Sequence, residues 1–95
     1  MNKIQKLKEI AKELNIIPLW NENSESSTVR RIIKFQRGIL ENEEEEKVVK
    51  SAYKVKHLIW VLINKTSYVA EEAEKVKLNN IFDELEKLVG KEAKK

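Results

Sequence analysis

Cysteine is absent from these 95 residues, and only two glycines and one proline occur. Without cysteine there are no disulfides, no thiolate metal sites and no thiol nucleophile. A chain free of disulfides suits a reducing compartment, so the expected location is the cytoplasm. So few turn-forming residues argue against an all-β design, which needs a tight turn every few residues. Long apolar runs are also missing. The longest, Leu58–Ile63 ("LIWVLI"), is far short of the roughly 20 residues that span a bilayer. The start, "MNKIQKLKEIAKEL", has no uninterrupted apolar stretch and does not read as a secretory signal.

Leu, Ile, Lys and Glu dominate what is present. With 41% apolar and 37% charged residues the chain is globular but heavily solvated. Its length suits one domain, residues 1–95, rather than two independent cores. The net charge of +3 is too small to name a partner by itself.

Apolar residues recur with a period near 3.6 in four segments, which predicts an all-α fold. The first helix covers 3–15, with Ile4, Leu7, Ile10, Ala11 and Leu14 on one side. Asn15 is its expected left-handed stop, and Pro18 prevents continuation. Residues 16–27 then form an irregular connector whose Ile17, Leu19 and Trp20 are expected to dock on the bundle. The second helix covers 28–41, capped by Ser26, Ser27 or Thr28, with Val29, Ile32, Ile33, Phe35, Ile39 and Leu40 inward. The third covers 43–64, with Asn42 as N-cap and Glu45 in a capping-box position. The fourth covers 67–89, with Val69, Ala73, Val76, Ile81, Leu85 and Leu88 inward, Gly90 as stop and a disordered tail over 91–95.

Phase separates the second and third helices. In one continuous helix the stripe centred on Ile32 and Ile39 would lie about half a turn from that centred on Ala52 and Ile59. A fold-back near Glu41–Glu43 lets both stripes reach one core. The expected architecture is a small antiparallel four-helix bundle.

Charge is distributed unevenly along this frame. Ser26–Leu40 holds four cations (Arg30, Arg31, Lys34, Arg37) and no acid. From Lys47 to Ala70 there are five lysines, again with no acid. Lys47, Lys50, Lys54 and His57 step by three and four along one helix row. Arginines near a helix start oppose the backbone dipole, at a cost of a few tenths of a kcal/mol. A polyanion would account for accepting that cost. These eight residues are the candidate nucleic-acid-binding set, and the competing reading is a solvated face neutralised by neighbouring glutamates. There is no helix-turn-helix spacing, zinc finger or aromatic RNA-binding motif, so little sequence specificity is expected.

The third helix becomes apolar all round in "VKHLIWVLINK". Ile59, Leu62 and Ile63 belong to the core stripe, while Leu58 and Val61 fall on the side of Lys54. Such a segment must be covered. The connector is one candidate cover and a protein partner another, with Trp20, Leu58, Trp60 and Val61 as the candidate protein-interface residues. Lys56 is expected to snorkel, extending its stem over apolar groups with the amine in water.

Enzyme chemistry finds no foothold. A single histidine without cysteine makes no His-rich transition-metal site, though carboxylates could add ligands. The glutamate clusters lack calcium-loop spacing, and neither a phosphate-binding glycine loop nor a nucleophile elbow is present. No cofactor, metal or catalytic residue is expected.

The order of helix, loose connector, helix, tight charged turn, helix and helix over residues 3–89 resembles that of the bacteriocin immunity proteins. The resemblance is one of architecture and carries no diagnostic motif. It implies a bundle that binds and inhibits a protein. The chain is also similar to small Lys/Glu/Ile/Asn-rich products of AT-rich viral or plasmid genomes, some of which bind nucleic acid or block host proteins. The leading expectation is a non-enzymatic module whose basic helical hairpin binds nucleic acid or another anionic macromolecule. The alternative is a protein-binding inhibitor or immunity-type bundle. Monomer and homodimer are both compatible with either.

Overall fold

The computed structural model describes residues 2–16, 25–66 and 72–93, apart from the side chains of Ile16 and residues 91–93. Among the described residues it is an all-α fold of four helices: α1 (Lys3–Glu13), α2 (Ser27–Glu41), α3 (Glu45–Lys65) and α4 (Glu72–Ala93). A 3₁₀ turn, Leu14–Ile16, follows α1. The expected docking of Ile17, Leu19 and Trp20 and the expected start of α4 at Ser67 lie outside the described residues.

Each helix boundary has a local cause. Asn2 and Gln5 form a reciprocal capping box at the start of α1, each side chain accepting from the other's backbone N–H. Ser26 caps α2, its Oγ accepting from the Val29 N–H at 3.2 Å. Several boundary expectations are corrected here. Asn42 closes α2 rather than opening α3, its Nδ2 donating to the Gly38 carbonyl at 2.7 Å. The N-cap of α3 is Glu44, without a side-chain cap bond, so Glu45 and Glu46 suit that helix end through the dipole alone. Asn15 adopts no left-handed conformation, since no described residue has a positive φ; it lies within the 3₁₀ turn. The α4 backbone likewise passes through Gly90 to Ala93 instead of stopping.

Helix α3 is the hub. It packs most extensively on α2 and next on α4, and α1 touches all three, whereas α2 and α4 do not meet among the described residues. The core joins Leu7 and Ala11 of α1, Leu14 of the 3₁₀ turn, Val29, Ile32 and Ile39 of α2, Val48, Ala52, Val55, Ile59 and Leu62 of α3, and Leu78, Ile81, Leu85 and Val89 of α4. The stripes on α1 and α2 follow the sequence periodicity. On α4 the phase differs from expectation: Leu78, Ile81, Leu85 and Val89 set the buried face, and Val76, at about 160° from Leu78, is exposed.

Two polar side chains tie α1 and the turn after it to the hairpin of α2 and α3. Gln36, buried on the apolar face of α2, donates through Nε2 to the Ala11 carbonyl (2.7 Å) and to Asn15 Oδ1 (2.9 Å). Lys8 Nζ reaches the Leu40 carbonyl (3.3 Å) and Glu43 Oε1 (3.2 Å), bringing a cation to the negative end of α2.

Candidate nucleic-acid interface

Glycine explains how closely α2 and α3 approach. A Cβ on Gly38 would lie 2.5 Å from Ser51 Oγ and 3.2 Å from Ser51 Cβ. Gly38 therefore marks the side of α2 that faces α3, and Ser51 the side of α3 that faces α2.

Taking about 100° per residue from these two reference points places every candidate cation. On α2, Arg31 lies about 20° and Lys34 about 40° from the Gly38 direction, whereas Arg30 and Arg37 lie about 80–100° around the helix. On α3, Lys47 and Lys54 lie about 40° and 60° from Ser51, on its solvent side. Arg31, Lys34, Lys47 and Lys54 thus flank one groove. Lys50 and His57 occupy the next strip outward on α3, and Arg30 and Arg37 the corresponding strip on α2.

All eight side chains are exposed. Lys47 pairs with Glu44 (3.8 Å) and Lys50 with Glu46 (3.5 Å), both as solvent-exposed pairs within one helix end that contribute little. Lys34 Nζ stands 5.8 Å over the Phe35 ring. Arg31 and Lys54 have no ion pair among the described residues. The dipole cost expected for the arginines shrinks. Because α2 starts at Ser27, Arg30 and Arg31 are its fourth and fifth residues, where the end effect has largely decayed.

The candidate protein-interface residues separate. Leu58 is buried, only 3% exposed, because it lies on the α2 side of α3, and the expectation that it forms an exposed patch is corrected. Val61 is half-buried, Trp20 lies outside the described residues, and Trp60 remains 42% exposed. Trp60 is dressed by neighbours: its ring is stacked with His57 at 6.5 Å between centroids and 16° between planes, and Lys65 Nζ lies 5.7 Å over it.

Lys56 does not snorkel. It is buried, and its ammonium meets Glu86 Oε2 of α4 at 2.7 Å. Tyr53 and Phe82 flank it at 4.9 Å and 5.6 Å to their ring centroids. Neither Gln36 nor the Glu86 partner was singled out in the sequence. For Gln36 a signal was available, since it sits between Ile32 and Ile39 at core spacing.

The face between α1 and α4 has a different character. An open groove of about 380 Å³ there is lined by Lys6, Glu9, Ile10, Glu13, Glu84, Lys87 and Leu88, with both charge signs interleaved. Among the described residues no group of three His, Asp or Glu side chains is placed to hold a metal ion, and no helix is long and apolar enough to cross a membrane.

Compared with known proteins, the chain matches no family model, no curated protein and no solved structure. The likeness to bacteriocin immunity proteins therefore rests on helix order alone.

Proposed function

We propose that this four-helix protein is a non-enzymatic cytoplasmic module that holds a nucleic-acid backbone along the α2–α3 groove with little sequence specificity. One observation carries the reading. Arg31 and Lys34 from one helix and Lys47 and Lys54 from the next flank the same groove, and neither Ser27–Leu40 nor Lys47–Lys65 contains an acid. The guanidinium of Arg31 suits two phosphate oxygens at once, while the lysines act as point charges along a backbone. Contacts of this kind position a polyanion and do not read its bases. The alternative of an apolar protein-binding patch is weakened by the burial of Leu58, which leaves Trp60 without its expected neighbour.

The test is the double reversal Arg31→Glu/Lys54→Glu, with binding measured over a salt series. Both side chains are exposed, so folding should persist. Affinity for DNA or RNA should fall, and the log–log salt slope should flatten by about two, near one unit for each phosphate no longer held. An unmodified protein that binds no nucleic acid at about 50 mM salt overturns the proposal, as does binding that ignores salt.

A further inference from the structure

We infer that Trp60 is a stacking platform for an unpaired base, which makes single-stranded nucleic acid the substrate of the basic face. The inference rests on the reading above and adds the form of the strand.

Trp60 stands on the outer face of α3, about 180° from Ser51 and so opposite the α2 side, about 60° round the helix from His57 and about 80° from Lys50. Lys50 to Trp60 spans about 15 Å of helix axis. A strand that passes from the groove across the outer strip of Lys50 and His57 would thus reach the indole within a few nucleotides. The indole is exposed, yet it is held: His57 lies nearly parallel to it, and Lys65 sits over it. A large flat ring kept open to solvent, ordered by a parallel imidazole and set beside a cationic row, has the parts a base-stacking site needs. Aromatic faces bind any base, while neighbouring cations hold the backbone, which is why such sites tolerate sequence. A duplex hides its base faces in its own stack and offers the ring nothing. Charge complementarity thus selects the occupant: an apolar protein surface would gain nothing from His57 and Lys65 at the indole and Lys50 on the adjoining strip.

The experiment uses the full chain and labelled oligo(dT) and oligo(rU) of about 20 nucleotides, beside a duplex of equal length. The expected result is tighter binding of the single strands. Trp60→Leu should weaken single-strand binding about tenfold and change duplex binding less than about twofold. Trp60→Phe, which keeps a smaller ring, should lose less. In a Trp20→Phe background the remaining indole emission should be quenched by either oligonucleotide, a readout that needs no change at Trp60. Salt-dependent binding that Trp60→Leu leaves unchanged, or weakens equally for both forms, overturns the platform and leaves the groove reading standing. So does an absence of quenching in a protein that binds. No binding of any form at about 50 mM salt overturns the groove reading and the platform with it. The two oligonucleotides separate DNA from RNA by their relative affinities.

Discussion

Lys54 and Lys56 stand two residues apart on α3 and meet opposite surroundings. Lys56 turns toward α4, is buried, and has its charge answered at 2.7 Å by Glu86 between two aromatic rings. Lys54 turns to the solvent edge of the α2 groove and has no ion pair among the described residues. The difference separates charge used to hold helices together from charge left for something outside. A cation enclosed by its own fold must be matched there, because an unpaired buried charge is costly. A cation at an open groove carries no such obligation. Net charge alone cannot tell these cases apart; the neighbour across the interface does.

The comparison depends first on the core that both flanks share. Ile59 is fully buried on α3, so Ile59→Ala should cost about 2–5 kcal/mol in chemical denaturation. A loss below about 1 kcal/mol would mean that α3 is rotated from the phase described and that both flanks are misassigned.

The α4 flank gives the next largest effect. Glu86→Ala leaves the Lys56 ammonium without its carboxylate and should destabilise by about 1–3 kcal/mol, partly relieved by the Tyr53 and Phe82 rings. Lys56→Met removes charge while keeping the stem, so melting should change little or rise. If both substitutions were neutral, Lys56 would be no more structural than Lys54.

On the α2 flank the close approach at Gly38 can be probed directly. Alanine there gains up to about 1 kcal/mol of helix propensity but crowds Ser51, and overpacking costs about 1–3 kcal/mol. The net expectation for Gly38→Ala is a loss of about 1 kcal/mol, partly recovered in Gly38→Ala/Ser51→Ala, by thermal melting. A stabilised single variant would show that the helices stand further apart, which would widen the cationic groove.

Lys54→Ala should have the smallest effect on folding, within about 0.5 kcal/mol. In nucleic-acid titrations it should still lower the salt slope by about one. A stability loss comparable to that of Glu86→Ala would erase the contrast between the two lysines.

Much of the architecture was legible locally. The apolar stripes on α1 and α2 recur at helical spacing, and the phase conflict between Ile32/Ile39 and Ala52/Ile59 required a break that the structure places at Asn42–Glu44. Cap chemistry was less legible. Asn42 suits either the end of α2 or the start of α3, and its hydrogen bond to the Gly38 carbonyl selects the former. The exposure of Val76 shows a related limit, because a short apolar subset of α4 admits two phases and packing selects the one through Leu78.

Residue spacing is enough to show that the chain forms helices, that α2 and α3 are separate, and that long stretches of both carry cations without acids. Those properties follow from spacing along one chain, which helical geometry converts directly into faces. What each face meets was set by the packing of the helices. It buried Leu58, left Trp60 open, gave Lys56 a carboxylate and drew Gln36 to the end of α1. It also divided the eight basic candidates between a shared groove and the strips outward of it on α2 and α3. The physical reason is that a residue's direction around its helix is a local quantity, whereas its partner is set by how distant segments pack. Arg30 and Arg31 are neighbours in the chain, but only Arg31 lies on the side where Gly38 lets α3 come close.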